Sequence, residues 1–541
     1  MVRSTLSYLI TPSPALSVSQ PWSLGGMILP ALGSQTDISL GAQPHIDQAL
    51  PLPGLLLLKG TFNTKFLGLS SVGTTISTCL KYSASESASV LEAKSIDHLV
   101  QGIRHLDEFT MSEPVSANVD RLPSMDIADK GITAYIENVH LRYAIVGMQH
   151  LEIWRDTYSD KTLMKDPVTF SRLCLLTTIG LLSMPHKQGC DSTSPWAKEI
   201  HSIYEGAWSL LTAVLASPYI DAVELLLLHT LHLLYSGKLG IVWVNCGLVI
   251  RVAQSLGLHR NSPIQLGLSE EQIQRRARLW EVSYALDAFL SLSEGRPPAI
   301  TEQHADGVLL SLSLGPGTFP VKRPVGTIHT WHVHLAIIAN RLSPLLNRVE
   351  AGSWLLEYLS MLDRDLIKWR DAIPIECRPE EENLAKAELY TAVSWLHLQY
   401  FNLMRTIHWV SFVISAQYTN QSSILGQYGP RIRSSETICL TAARSLVVTL
   451  NNAISAPGYI GRFTGIPISY CMAAISVIFR KIHKQLDIVS ARTNLEFLRA
   501  GTLHILQSLT AAGSVEHVRA LFADLQRVAE NAINRVSAAT A

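Results

Sequence analysis

The sequence predicts an all-α fold, in the form of an irregular multi-helix domain, and three observations favour it. Apolar residues recur at spacings of three and four along most of the chain, which is the period of a helix with one buried face. No Asn-Gly or Asp-Gly pair is flanked by the alternating apolar residues of a β-hairpin, since Asp306-Gly307 falls in a stretch rich in glycine and proline. No repeat of fixed length occurs, so a solenoid is not expected.

Composition indicates a large interior and no strong electrostatic partner. Hydrophobic residues make up 47% of the 541 residues and charged residues 16%. Lys plus Arg equals Asp plus Glu at 44 each, so no net field attracts nucleic acid or an anionic membrane. No window of about 18 uninterrupted apolar residues is present, and we expect no membrane span.

The helices follow from the periodic segments and the breaks between them. Helix 222–235 is apolar all round, which is typical of a position at the centre of a bundle. The stretch that follows residue 300 is rich in Gly and Pro and predicts a loop. The expected helices are 132–150, 167–184, 196–215, 222–235, two within 236–300, 328–349, 352–372, 383–413, 434–455, 467–489, 491–509 and 514–539.

The central stretch 236–300 begins with a helix that ends at a glycine. Its apolar stripe lies at helical spacing and consists of Val242, Cys246, Val249, Ile250, Ala253 and Leu256. Gly257 suits the left-handed position that ends many helices, and Leu258 can make the hydrophobic contact of such a cap. His259 and Arg260 are therefore expected just past a helix end.

A second helix begins near Ser269. Glu271 and Gln272 stand where a capping box places its acid or amide. Pro297 and Pro298 are expected to end the helix, because proline lacks the amide donor. Its predicted core stripe is Leu279, Val282, Leu286, Phe289 and Leu290.

The motifs of this stretch resemble the middle homology region of the fungal-specific transcription factor domain family. The order Gly-Leu-His-Arg, Arg-Arg-x-Arg-Leu-Trp, Leu-Asp and Gly-Arg-Pro-x-Ala-Ile carries the resemblance. The sequence departs from the usual pattern at Asn261, Glu281 and Ala288; a second Trp is usual where Glu281 stands. The motif residues, for which a structural role is expected, are Gly257, Leu258, His259, Arg260, Arg275, Arg276, Arg278, Leu279, Trp280, Asp287, Gly295, Arg296 and Pro297.

The resemblance extends loosely over residues 61–528 and suggests three parts. Residues 1–60 are expected to form a disordered or degenerate leader, 61–530 the regulatory domain, and 531–541 a tail. Arg3 and Lys59 are the only Lys or Arg residues of the leader, so it cannot neutralise a row of phosphates.

The cysteines exclude a zinc-cluster module within these residues. The binuclear cluster usually attached to this family needs six cysteines, including a C-x2-C-x6-C run, because each metal takes four ligands that lie close together. The seven cysteines are scattered, and no two are closer than Cys174 and Cys190. We therefore expect no direct DNA binding.

Four groups of polar side chains could carry chemistry, and each has a structural interpretation that we favour. His329, His332 and His334 form the tightest histidine cluster, but they can be solvated at a helix start, and no metal or cofactor is predicted. The arginines at 275, 276 and 278 are expected to form surface ion pairs, with Glu271 four residues before the first of them. His229 and His232 are expected to be core histidines bonded to carbonyls. Asp287 and Arg296 are expected to form a partly buried ion pair.

The function implied by the resemblance is a nuclear transcriptional regulator or co-regulator of fungal genes, for example those of a metabolic or biosynthetic cluster. It would act through a small-molecule effector or through protein contacts, with a DNA-bound transcription factor or a homodimer partner. Two alternatives stay open: a zinc-cluster factor with a truncated gene model, or a small-molecule binder or enzyme located in the cytoplasm. No catalytic motif is present. The pocket of a binder or enzyme would be lined by Trp243, Tyr284, His329, His332, Trp331 and Trp395, with Trp280 beside them.

Overall fold

A computed structural model gives the structure of the protein. The chain divides into two units, Met1–Leu50 and Pro51–Ala541, and the division into leader, regulatory domain and tail stays a prediction. The loop predicted after residue 300 lies outside the described residues. These are 54–57, 63–67, 115–184, 195–260, 266–300, 326–346, 353–379, 385–417, 422–455, 466–484, 487–508 and 512–540.

The second unit begins with a β-hairpin that the sequence analysis missed. Strands β1, Gly54–Leu57, and β2, Thr64–Leu67, are antiparallel, with Gly54 opposite Leu67. The leucine run at 55–58 does not alternate with polar residues, so it lacks the period of a half-buried strand. The remaining regular elements in the described residues are helical, and the all-α prediction is confirmed.

Six helices follow the hairpin in the sequence: α1 Met125–Tyr135, α2 Met148–Glu152, α3 Trp154–Ser159, α4 Pro167–Ser183, α5 Pro195–Ser209 and α6 Leu211–Ala216. Helices α1 and α4 approach each other closely. A Cβ on Gly180 of α4 would lie 1.7 Å from the carbonyl oxygen of Gly131 of α1, so only glycine permits that approach.

Three helices form the centre. Helix α7, Ile220–Tyr235, is buried along nearly its whole circumference, as its apolar composition predicts. It packs on α4 and on α8, Leu239–Ser255, and α8 packs on α9, Glu270–Glu294. The predicted apolar stripes of α8 and α9 are buried.

Seven further helices continue the body. Helix α9 packs on α10, and the pairs α12–α13, α13–α14 and α14–α15 follow, while α9 also contacts α14. One hydrophobic cluster runs from Ala117 to Ile533 and joins both halves. The helices are α10 Gly326–Leu346, α11 Ser353–Ala372, α12 Ala387–Gln417, α13 Ser422–Ser455, α14 Ile466–Lys484, α15 Ile488–Ser508 and α16 Ala512–Thr540.

Two predicted helices need correction. The helix expected at 132–150 breaks after a π-helical turn, Ile136–His140, because Tyr143, Ile145 and Val146 enter the core from a non-helical segment. The helix expected at 196–215 is interrupted between α5 and α6. Helix α16 continues through Thr540 and buries Ile533, in agreement with the helix expected at 514–539, while the tail at 531–541 as a separate part stays a prediction.

One described helical segment, Gly429–Ser455, is long and apolar enough to cross a membrane by length and composition. Its evidence for a span is weak, because the core helices of soluble proteins pass the same test. The segment is 44% buried here, and the helix that contains it packs against α12 and α14.

Candidate functional site

The glycine cap of α8 forms as the sequence predicts. Gly257 has a φ of 68°, and its N–H donates to the carbonyl of Gln254 at 2.9 Å. The N–H of Leu258 donates to the carbonyl of Ala253 at 3.0 Å. This pair of bonds defines a Schellman motif, and the buried Leu258 side chain supplies its hydrophobic contact.

Arg276 fastens the hairpin to that cap. Its Nη1 donates to Thr64 Oγ1 at 2.7 Å, and its Nη2 donates to the carbonyls of Leu256 and Gly257 at 3.1 and 3.2 Å. The Thr64 hydroxyl donates in turn to the Leu256 carbonyl at 2.8 Å. Burial lowers the pKa of Arg276 to about 10. The expectation that Arg276 is a surface residue is wrong, because the end of α8 needs donors for its free carbonyls.

His259 and Arg260, directly after the cap, pack on the same strand. The rings of His259 and Phe66 meet edge to face at 4.8 Å, and the Arg260 guanidinium lies 5.2 Å from the Phe66 ring centroid. On its other side His259 faces the fully buried Trp280, at 5.8 Å between ring centroids. The Gly-Leu-His-Arg motif therefore packs β2 against the end of α8 and against α9.

Two arginines of different helices share one buried carboxylate, that of Glu224 on α7. Arg172 Nε donates to Glu224 Oε1 at 2.5 Å, and Arg275 donates to Glu224 Oε2 through Nη2 at 2.8 Å. Asp221, one turn earlier and half-exposed, accepts from Arg275 at 2.6 Å and from Arg172 at 3.4 Å. The cluster of Arg172, Asp221, Glu224 and Arg275, here called the four-charge cluster, ties α4, α7 and α9 together.

The two arginines of the cluster keep Glu224 ionised. Burial alone would raise the pKa of Glu224, but the charges of Arg172 and Arg275 and their hydrogen bonds lower it to about 2. The prediction that Arg275 pairs with Glu271 is wrong; Glu271 accepts from Gln149 instead. The partners of Arg275 come from another helix, because its side chain points toward α7. Arg278 is partly buried, and burial lowers its pKa.

Asp287 binds backbone rather than Arg296, and the predicted ion pair is wrong. Its Oδ2 accepts from the N–H of Ile300 at 3.0 Å. Burial raises the pKa of Asp287 to about 6, although hydrogen bonds from Ile300, Ala299 and Ser291 work against that rise. The carboxyl group therefore folds the exit loop back onto α9.

Arg296 contacts Trp243 instead of Asp287. Its guanidinium lies 5.0 Å from the ring centroid of Trp243, whose Nε1 donates to Ser291 Oγ at 3.2 Å. The helix before it ends at Gly295, which has a φ of 64°, and not at Pro297 as expected, because glycine already supplies the left-handed stop. The capping box predicted at its start is present between Ser269 and Gln272.

The histidines of α10 are buried rather than solvated as predicted. His329 Nε2 donates to Glu281 Oε2 at 3.0 Å, which fixes its tautomer because a carboxylate only accepts. The side-chain amide of Gln399 donates to His332 Nε2 at 3.0 Å, and His334 is buried beside it. Among the residues that the structure describes, no three His, Cys, Asp or Glu side chains lie close enough to bind a metal ion.

His229 and His232 are core residues, as predicted, but the described partner of His232 is a hydroxyl rather than a carbonyl. Thr178 Oγ1 already donates to the Leu175 carbonyl, so His232 Nδ1 donates to it at 3.1 Å. The His232 ring stacks on Tyr204 at 3.7 Å. Burial lowers the pKa of His232 to about 3 and that of His229 to about 4, so both are neutral near pH 7.

The residues of the predicted aromatic pocket have various described contacts. His332 and Trp395 both contact Tyr143, at 5.5 and 6.3 Å between ring centroids. The carbonyl of Trp331 accepts from Trp369 Nε1 at 3.0 Å, and Trp243 of α8 donates to Ser291 near the end of α9. Tyr284 is buried in the core cluster. One pocket lined by all six side chains stays a prediction.

The described residues form a different cleft, which the sequence did not indicate. It is half open, and the empty volume within its rim, including solvent at the open side, is about 390 Å³. Its walls come from α1, α2, α3, α4 and the segment before α2, so no single stretch of sequence outlines it. The lining residues are Ile132, Val146, His150, Trp154, Thr157, Thr169, Arg172, Leu173 and Leu176.

Comparison with known proteins identifies the relatives of this region. Residues 133–312 match the family described as fungal specific transcription factor domain. An ABC-transporter-regulating transcription factor of Aspergillus oryzae is 27% identical over 308 residues, which cover 53% of this chain and 33% of the relative. An uncharacterized transcriptional regulatory protein of Schizosaccharomyces pombe is 22% identical over 408 residues, 73% of this chain and 51% of the relative.

A shorter match is with Activator of stress genes 1 of Saccharomyces cerevisiae, 26% identical over 214 residues, 37% of this chain and 22% of the relative. The matched part spans about a third of the length of the first two curated relatives. These relatives are fungal transcriptional regulators, and the resemblance read from residues 257–300 is confirmed.

Proposed function

We propose that this chain, which carries a fungal specific transcription factor domain at residues 133–312, regulates transcription through effector and protein contacts of its helical body. The bonds of the motif arginines support the proposal. The guanidinium groups of Arg275 and Arg276 bind Glu224, Asp221, Thr64 and the carbonyls that end α8. Side chains committed to internal bonds cannot neutralise a row of phosphates, so their work is to brace the fold.

Contact with DNA is then assigned to a partner. Equal numbers of basic and acidic residues, 44 of each, give the chain no net attraction for a phosphate backbone. A DNA-bound transcription factor would bring the helical body, either as a single chain or as a homodimer, to a promoter. The residence expected for such a protein is the nucleus.

The names of two relatives suggest where to look for target genes. Both the Aspergillus oryzae and the Aspergillus fumigatus proteins are ABC-transporter-regulating transcription factors. We take promoters of transporter genes, and of any biosynthetic cluster beside this gene, as the first ones to test.

The experiment is crosslinked-chromatin recovery of the epitope-tagged chain from nuclei of its own host, with an untagged strain as the control. We expect enrichment at a limited set of promoters and loss of that enrichment when a zinc-cluster partner is deleted. Cytosolic residence without promoter enrichment would refute the regulatory proposal.

A second measurement separates the partner from direct binding. The purified chain is titrated with promoter DNA across salt concentrations, and we expect only weak, sequence-independent binding, with a dissociation constant no tighter than about 10⁻⁵ M at physiological salt. Tight and sequence-specific binding by the isolated chain would refute the assignment of DNA contact to a partner.

A further inference from the structure

The cleft between α1, α2, α3 and α4 combines an apolar floor with one basic wall. Ile132, Val146, Leu173 and Leu176 form the floor and are buried from bulk water. Trp154 also lines the cleft. Such a floor suits a branched aliphatic or aromatic group of a few carbon atoms, because burying apolar surface drives the binding of small molecules in clefts.

The basic wall is Arg172, whose guanidinium is only partly used. Nε donates to Glu224 and Nη2 to Asp221, and no bond within the described part of the chain uses Nη1. The side chain is 18% exposed and lines the cleft. The unused Nη1 can donate to a carboxylate oxygen, and a hydrogen bond between two charged groups is stronger than a neutral one.

The other polar lining groups add no negative charge to the cleft. Among the residues that the structure describes, no Asp or Glu lines it. His150 stands beside Arg172; burial and the charge of Arg172 lower its pKa, so the neutral imidazole provides a donor. Thr157 Oγ1 already donates to the Ile153 carbonyl, and Thr169 Oγ1 to Asp166, so both hydroxyls keep lone pairs for a water or a ligand N–H group.

From this geometry we propose that the cleft binds a small carboxylic acid with a branched or aromatic apolar body. The carboxylate pairs with the free edge of Arg172 and accepts from His150, while the body lies on the floor formed by Leu173 and Leu176.

The site is connected to the family motif through one shared carboxylate. Arg172 on α4 and Arg275 on α9 both bind Glu224. A ligand carboxylate on the free edge of Arg172 draws on the positive charge that Glu224 and Asp221 also use, which weakens the attachment of α4 to α7. A ligand shifts an equilibrium only by its differential affinity for two states, and this competition for Arg172 supplies such a difference. This role as an effector site rests on the proposed regulatory function; the binding itself does not.

The test uses the purified full chain and isothermal titration calorimetry with 3-phenylpropionate. The matched probe is 3-phenylpropanamide, which has the same body without the charge, and inorganic phosphate serves as an anion without a body. We expect the carboxylate to bind about 10-fold to 100-fold more tightly than the amide, since hydrogen bonds to charged groups exceed neutral ones by that order. Equal affinity for carboxylate and amide, or tighter binding of phosphate, would overturn the proposal.

Variants locate the binding. Thr157→Trp fills the mouth of the cleft and should abolish binding of 3-phenylpropionate. Ser159→Trp, on the same helix but outside the lining, should leave it unchanged. Arg172→Lys keeps a positive charge beside Glu224 and should reduce the preference for the carboxylate to a fewfold. Circular dichroism confirms that each variant is folded, and undiminished binding by folded Thr157→Trp would overturn the proposed location.

The two proposals fail in different ways. A chain that binds 3-phenylpropionate but occupies no promoter in the nucleus contradicts the regulatory function and supports the site. A folded chain that occupies promoters but binds neither probe overturns the site and supports the regulatory function.

Discussion

Removal of the charge of Glu224 tests whether the four-charge cluster stabilises the fold. Glu224→Gln keeps the shape of the side chain but leaves Arg172 and Arg275 with the half-exposed Asp221 as their one described acidic partner. The pKa of Glu224 falls from 4.5 to about 2, and at ~1.36 kcal/mol per unit this means that the charged form is favoured by roughly 3 kcal/mol. The loss of one partner of a buried pair has a similar measured range, about 3–5 kcal/mol. We therefore expect Glu224→Gln to lower the free energy of unfolding by roughly 3 kcal/mol.

Urea unfolding followed by circular dichroism at pH 7 measures this loss, with Asp221→Asn as the control. Asp221 is 47% exposed, so its ion pairs are screened and its change should stay within about 1 kcal/mol. Because the folded pKa of Glu224 is depressed, its contribution is present above pH 4.5 and is lost as the pH falls toward 2. Glu224→Gln should lack that acid-dependent loss. Equal stabilities of Glu224→Gln and Asp221→Asn at pH 7 would refute the reasoning.

Two further predictions follow from buried positions. The pKa of Asp287 is raised from 3.8 to about 6, so its contribution to stability is complete below pH 3.8 and is lost as the pH rises through 6. Between pH 4 and pH 7.5 the free energy of unfolding of Asp287→Asn should therefore rise by roughly 3 kcal/mol relative to that of the wild type. Urea unfolding at the two pH values checks this gain, and a pH-independent difference would contradict it. Gly180→Ala should lose roughly 3 kcal/mol or more, because its Cβ would meet the Gly131 carbonyl at 1.7 Å. Gly247 lies on α8, and a Cβ there would meet no atom within 4 Å. Gly247→Ala should therefore raise the free energy of unfolding by about 0.5–1 kcal/mol, measured by thermal unfolding. Similar effects of the two glycine substitutions would refute the contrast.

The features that the sequence predicts best are those determined within one or two helical turns. The cap at Gly257, the capping box at Ser269 and the buried stripes of α8 and α9 each depend on residues at most a few positions apart. Steric and hydrogen-bonding rules act directly at that range. The hairpin is an exception, because its leucine run has no alternating period from which a strand could be inferred.

The partners of the polar side chains could not be predicted in the same way. Arg275 had a plausible acid at Glu271, one turn away, yet its carboxylate belongs to Glu224, 51 residues earlier. A guanidinium on a long side chain pairs with whichever acid the packing of helices brings near, and that packing is not encoded in local spacing. The cleft shows the same limit, because its walls come from four helices and the segment before α2.

The departure at residue 281 shows how a change in the motif can be absorbed. A second Trp is usual after Trp280, but Glu281 here accepts a hydrogen bond from His329 on α10, at 3.0 Å. A partly buried carboxylate needs a donor, and His329 supplies one. This ionisable pair thus links α9 and α10. Of the histidines that suggested a metal or an acid-base site, His329 is explained as the partner of this motif substitution, whereas His332 accepts from Gln399. The guanidinium of Arg172 in the cleft, by contrast, keeps an Nη1 that no bond within the described part of the chain uses.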